Sequence, residues 1–223
     1  MTVLISTAMP EEARPLIAHG TPMDTPLGDA WEVQIEGKSA IVLRTGIGLV
    51  NAAAAVTAAI CEFSPSALIS SGSAGGLSEG IFVGDVVVGT TFIYHDADTT
   101  AFGYAHGQVP GMPESYTADR RLVDLASNAR DDYRLRRGRI VSGNSFIADH
   151  LVESVRAAFP SALAADMETA ALAQVAHLFE LPFVGVRAIS DLCGPTASQD
   201  FSMSVDEASA RAAAVVSSIV AEF

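Results

Sequence analysis

The sequence predicts an α/β layer fold with a largely parallel or mixed sheet, carried as one domain over residues 1–223. Three observations lead there. β-branched runs alternate with alanine-rich runs along the whole chain. The connections are short, and no linker, low-complexity tract or internal repeat divides them. The residues are 49% hydrophobic and 17% charged, enough for a large core and too apolar for a disordered chain.

The elements follow in order. Val3–Ser6 reads as a short buried strand. Pro10 opens a helix with Glu11 and Glu12 in its first turn, and Gly20 is its expected stop. Trp31–Ile35 and Ser39–Leu43 form a hairpin joined by Glu36-Gly37-Lys38. Leu49–Cys61 is a mostly alanine helix suited to close packing. Ala67–Ser70 is a buried strand, and Gly72-Ser73-Ala74-Gly75-Gly76 reads as a turn after it. Asp85–Tyr94 is a long Val/Thr strand. Thr99–Thr117 is aperiodic, a loop long enough to suggest function. Asp119–Arg130 reads as helix and Arg139–Ser142 as strand. A further helix begins near Asp166, and Phe183–Ser190 is another buried strand. Ser204-Val205-Asp206-Glu207 is a capping box expected to open the final helix.

Charge and cysteine usage exclude several functions. Thirteen basic against twenty-six acidic residues leave a net charge of −13, which repels nucleic-acid backbones and anionic membranes. Cys61 and Cys193 read as reduced thiols of a cytoplasmic protein, not as a disulfide framework. No signal peptide or membrane span is expected, because no basic leader region and no long unbroken apolar stretch occur.

Ligand sites of open α/β sheets lie beyond the carboxyl ends of strands. That rule selects Ala8–Glu12, Gly72–Gly76, Tyr94–Asp98 and Ser190-Asp191. Gly46-Ile47-Gly48 lacks the third glycine and acidic partner of a dinucleotide fingerprint, so it reads as a tight turn before a closely packed helix. Gly72–Gly76 has no Lys-Ser/Thr pair and is not a nucleotide P-loop, but its backbone N–H groups suit a ligand. His95-Asp96-Ala97-Asp98 lacks further ligands at metal-site spacing, so no metal is expected. Arg134, Arg136, Arg137 and Arg139 read as a solvated face. Singly, Glu12 and Glu168 read as complements of a helix dipole and Asp191 as a cap. Together they read as an acid/base constellation.

In Ala8-Met9-Pro10-Glu11-Glu12, Thr45-Gly46-Ile47-Gly48, Gly72–Leu77, Tyr94–Asp98 with Thr100–Tyr104, Ser142-Gly143 with Phe146-Ile147, Asp166-Met167-Glu168 and Arg187–Asp191, the chain resembles the 5′-methylthioadenosine/S-adenosylhomocysteine nucleosidases of the purine nucleoside phosphorylase superfamily. The resemblance runs nearly end to end. It implies a single α/β domain with a twisted mixed β-sheet flanked by helices, usually a homodimer, with neither metal nor organic cofactor. The implied reaction is hydrolysis of the bond between adenine and a 5′-thio-substituted ribose. Carried over by position, Asp191 protonates purine N7, Ser190 orients it, and Glu12 activates the water. Met167 and Glu168 hold the ribose, Asp166 is a further substrate-binding residue, Phe146 stacks on adenine, and the Ile147 backbone reads its edge. Ala8, Ile47, Ser73, Ala74 and Gly75 line the substrate, and Phe102 and Pro110 close the 5′ pocket of a neighbouring subunit.

Elementary chemistry agrees with these roles. Cleavage of an N-glycoside passes through a cationic sugar, which carboxylates stabilise while water attacks from the face opposite the base. Adenine leaves well only when protonated, which needs a carboxyl kept neutral by its surroundings. The chain departs from the family at Asp166 in place of Glu, at Asn144 in place of Asp, and in a longer Cys193–Met203 stretch. Three rivals stand beside this reading: a phosphorylase, an aminodeoxyfutalosine nucleosidase and a non-catalytic nucleoside binder. Ser70, Ser71 and Gly72 stand where phosphorylases carry an arginine for phosphate, which favours hydrolysis. A binder has no need of three carboxylates.

Overall fold

The β-branched runs pair into one ten-stranded mixed sheet in the computed structural model, which describes residues 2–126 and 133–223. The strands are β1 (Val3–Thr7), β2 (Thr21–Met23), β3 (Asp29–Ile35), β4 (Lys38–Arg44), β5 (Ala67–Gly76), β6 (Val86–Tyr94), β7 (Tyr116–Thr117), β8 (Leu135–Ser142), β9 (Ala162–Asp166) and β10 (Phe183–Asp191). Helices α1 (Pro10–Ala13), α2 (Leu49–Phe63), α3 (Arg120–Leu125), α4 (Val152–Ala158), α5 (Thr169–Leu178) and α6 (Ala197–Glu222) flank it.

The order β10-β6-β8-β9-β5-β1-β4-β3-β2 is closed at one end, because β10 also pairs with β5. β1, β5 and β10 run parallel, so Thr7, Gly76 and Asp191 finish at the same edge. All nine residues of β10 and all five of β1 are buried, as strands covered on both faces require. Helices α2 and α5 pack against each other, and the buried alanines of both let them approach closely. Glu36 and Gly37 both take positive φ, the backbone of a two-residue hairpin turn, so β4 already begins at Lys38.

The structure corrects several local expectations. Helix α1 ends at Ala13, well short of Gly20, because Pro15 has no N–H to continue it. The glycine-rich segment after Ser70 is not a turn but the second half of β5, paired to β10 from Gly72 to Gly75. Its glycines answer to close contacts: a Cβ at Gly72 would stand 2.5 Å from Arg187 Nη1 and 2.6 Å from Glu12 Oε1. Helix α6 starts at Ala197, so Ser204 lies inside it. The Ser204 hydroxyl turns back to the Asp200 carbonyl at 2.8 Å and to the Ser190 carbonyl at 2.5 Å, which replaces the capping role. The aperiodic stretch carries a 3₁₀ turn at Thr100–Phe102 and ends in β7. The helix expected over Asp119–Arg130 is present as α3, and its last residues lie outside the described ones. The arginine run is tethered as well as solvated: Arg134 reaches the buried Asp85 carboxylate at 2.8 Å, and Arg136 the Gly80 carbonyl at 2.7 Å. Among the described residues, no helix is long and apolar enough to cross a membrane.

Candidate active site

A cavity of about 340 Å³ opens where β1, β5 and β10 end, a volume in the range of small-molecule sites. Ala8, Glu12, Ile47, Ser73, Ala74, Gly75, Phe146, Ile147, Asp166, Met167, Glu168, Ser190 and Asp191 all line it. Residues from every part of the chain therefore converge on one place. Phe102 and Pro110 do not: both are exposed, Phe102 at 82%, on the loop before β7.

Glu12 enters from the first turn of α1. Its Oε2 accepts the N–H groups of Ala8 at 2.8 Å and Met9 at 3.3 Å, satisfying donors at the helix start. Its Oε1 accepts both the backbone N–H and the hydroxyl of Ser73, at 2.9 and 3.0 Å. A carboxylate that only complemented a helix dipole would face water, yet Glu12 is 4% exposed.

Asp191 closes β10 and is 1% exposed. Its Oδ1 accepts the Cys193 N–H at 2.9 Å, and the Ser190 hydroxyl lies 3.0 Å from its Oδ2. Burial pushes the Asp191 carboxyl above the usual range, against the pull of those two hydrogen bonds. Burial and the neighbouring Asp191 push the Cys193 thiol up to about 12, so Cys193 packs as an apolar group.

Glu168 stands at the N-terminus of α5. Its Oε1 accepts the Gly48 N–H at 2.9 Å, and its Oε2 lies 3.8 Å from Arg187 Nη2. Burial and the adjacent Asp166 raise its pKa, more than Arg187 and the Gly48 N–H lower it. Asp166 lines the cavity, but its oxygens are committed elsewhere. Oδ1 accepts the Ser142 hydroxyl at 2.5 Å and the Thr169 N–H at 3.2 Å. Oδ2 accepts the Thr169 hydroxyl and, at 2.5 Å, Arg187 Nε.

Arg187 is the member that sequence reasoning did not place in the site. Its second arm donates to the Ser70 hydroxyl at 2.8 Å, and its buried Nη1 has no hydrogen-bond partner among the described residues. The available signal was a lone cation inside the apolar run Phe183–Ser190, which burial makes costly unless it is paired. Phe201 was missed too. It lines the cavity from the first turns of α6, with its ring 6.1 Å from that of Phe146 in an edge-on pair.

The arrangement offers a raised carboxyl that can donate a proton, a pinned carboxylate that can accept one, and an aromatic pair for a flat base. The family model described as the phosphorylase superfamily matches residues 2–223. A curated relative from Anoxybacillus flavithermus, a 5′-methylthioadenosine/S-adenosylhomocysteine nucleosidase, is 39% identical over 100% of this chain and 99% of its own. The crystal structure of the Neisseria meningitidis nucleosidase of the same name, in complex with methylthio-immucillin-A, superposes with a TM-score of 0.95 at 38% identity, covering 100% and 99% of the two chains. The futalosine hydrolase of Helicobacter pylori superposes with a TM-score of 0.93 at 25% identity, covering 100% and 98%. The chain belongs to the phosphorylase superfamily and, within it, to the 5′-methylthioadenosine/S-adenosylhomocysteine nucleosidase family.

Proposed function

We propose that this protein is an N-glycosyl hydrolase that cleaves 5′-methylthioadenosine and S-adenosylhomocysteine into adenine and a 5-thio-substituted ribose. The observation that carries the reading is the pair Asp191 and Glu12, two buried carboxylates on one cavity with different surroundings. Asp191, raised by burial, holds the proton that a departing purine needs at N7. Ser190 and the Cys193 N–H orient it. As the C1′–N9 bond breaks, its electron pair passes into the purine and the Asp191 proton goes to N7. Water adds to C1′ from the opposite face and gives its proton to Glu12, whose oxygens four donors hold in place. Glu168 binds the ribose hydroxyls and opposes the positive sugar, with Met167 beneath it. Asp166 positions Arg187 and the start of α5. Phe146 and Phe201 face the base, and the Ile147 backbone reads its edge. Ala8, Ile47, Ser73, Ala74 and Gly75 complete the walls.

Every proton transfer in this scheme is assigned to a side chain, so the reading calls on no metal and no organic cofactor. The exposed loop bearing Phe102 and Pro110 closes the 5′ end of a second copy's cavity in a homodimer, over residues 1–223 acting as one domain. Two free cysteines suit the cytoplasm, where methionine salvage would use both substrates. The partner is a small adenine nucleoside, not nucleic acid or membrane.

The test is adenine release from methylthioadenosine with and without phosphate. Release independent of phosphate, with a free sugar as co-product, is expected, and sugar 1-phosphate as the main product would refute hydrolysis. The Helicobacter pylori likeness keeps aminodeoxyfutalosine as the second substrate to assay. Faster turnover of that compound than of methylthioadenosine would move the assignment.

A further inference from the structure

Asn144 and Asp96, at the ends of β8 and β6, and the Gly46-Ile47-Gly48 loop meet beside the cavity, and the scheme above uses none of their contacts with one another. The backbone N–H of Asn144 donates to Asp96 Oδ2 at 2.9 Å, which fixes where its side chain starts. Its Oδ1 then accepts the N–H of Leu49 at 3.1 Å, across 95 residues of sequence. Leu49 is the first residue of α2, whose own N-cap, Gly48, has no side chain to offer and whose first turn holds no acidic residue. Asn144 therefore supplies from another element the cap that α2 lacks. A Cβ at Gly48 would come within 3.3 Å of Asn144 Oδ1, and Gly48 adopts φ 103°, so glycine allows this approach on both counts. The N–H of Gly48, adjacent to the capped Leu49, donates to Glu168 Oε1 at 2.9 Å.

We propose that Asn144 is a positioning residue, which clamps the Gly46–Gly48 loop and the N-terminus of α2 so that the Gly48 N–H holds Glu168 toward the substrate. One side chain thereby ties two walls of the cavity together, since Asn144 directly precedes Ser145, Phe146 and Ile147 on one side and fixes the loop of Ile47 on the other. Asn51 braces that loop from within, its Nδ2 donating to the Ile47 carbonyl at 2.8 Å. The clamp acts on binding more than on bond cleavage, because Glu168 meets the sugar hydroxyls before and during the reaction. The kinetic half of this inference rests on the nucleosidase reading. The geometric half does not.

The test compares wild type, Asn144→Ala and Asn144→Asp by steady-state adenine release from methylthioadenosine and by amide hydrogen exchange at Gly48 and Leu49. Losing a helix cap shifts a local equilibrium by about fivefold to tenfold. Asn144→Ala is expected to lower kcat/KM by about that factor, mostly through KM, and to speed exchange at both amides. Asn144→Asp keeps an acceptor oxygen in the same place and is expected to restore both readouts. Unchanged exchange in Asn144→Ala overturns the inference, with or without a kinetic loss. So does faster exchange with unchanged kcat/KM. If the wild type releases no adenine, the nucleosidase reading has failed separately, and exchange at Gly48 alone decides whether the clamp exists.

Discussion

Arg187 Nε donates to Asp166 Oδ2 at 2.5 Å, and both side chains are only 2% exposed. Asp166 lines the cavity, and Arg187 backs it from inside the protein. The ion pair ties β10 to the end of β9 and, through the hydrogen bonds of Asp166 to Thr169, to the start of α5. Neither residue is free to lose the other, because an unpaired charge in the interior is far costlier than an unpaired one in water.

Arg187→Met is accordingly expected to destabilise the protein by about 3–5 kcal/mol, the usual cost of orphaning a buried charge. Urea unfolding of the variant measures this. Asp166→Leu combined with Arg187→Met should recover part of the loss, because both charges are then gone. A single variant within 1 kcal/mol of wild type would show that water or rearrangement replaces the pair.

Asp191→Asn keeps the size of the side chain and the acceptor for the Cys193 N–H but has no proton to deliver to a purine. Turnover should fall by at least ~10²–10⁴-fold, the range of acid–base catalysis. Substrate binding should survive better than turnover. Adenine release measured beside the melting temperature separates chemistry from folding. Near-normal turnover from a folded variant would place the acid elsewhere.

The raised carboxyl of Asp191 also sets a pH dependence. In the proposed role of proton donor, it should make kcat/KM decline as pH climbs through its raised folded pKa. Stability carries the same sign: the folded state binds this proton more tightly than the unfolded chain, where the value is 3.8. Its contribution is therefore full below 3.8 and is lost as pH rises through the folded value. Unfolding free energies of wild type and Asp191→Asn across pH should differ by that decline, which adds to the one that the raised Glu168 carboxyl leaves in both proteins.

Gly75→Ala tests how tightly the base of the cavity is packed. The added Cβ would collide with Cys193 Sγ and stand 3.1 Å from Asp191 Oδ1. Overpacking of this kind costs about 1–3 kcal/mol. Thermal unfolding should show the loss, and Cys193→Ala in the same chain should return much of it, a coupling expected only between touching residues. Additive effects would contradict the contact.

Signals between residues near in sequence make much of this molecule legible. Val3–Ser6, Trp31–Leu43, Leu49–Cys61 and Phe183–Ser190 announce their elements through alternation, β-branching or alanine content, because those signals act over a few residues. The strand-end rule likewise pointed to Ala8–Glu12 and Ser190-Asp191 from order along the chain alone. Other features depend on partners far away. Glu12 meets Ser73 across 61 residues, Asp166 turns to Arg187 rather than only to its own helix, and Asn144 caps a helix 95 residues earlier. The run Gly72–Gly76 has the local preferences of a turn, yet it is strand because its backbone pairs with β10, and Gly72 and Gly75 are glycine because Arg187, Glu12 and Cys193 occupy the space where side chains would be. Local sequence sets the backbone preferences and the amphipathic pattern. Only the tertiary structure decides which polar groups are buried together, and in an interior of low dielectric that choice settles which carboxyl keeps a proton and which charge is paired.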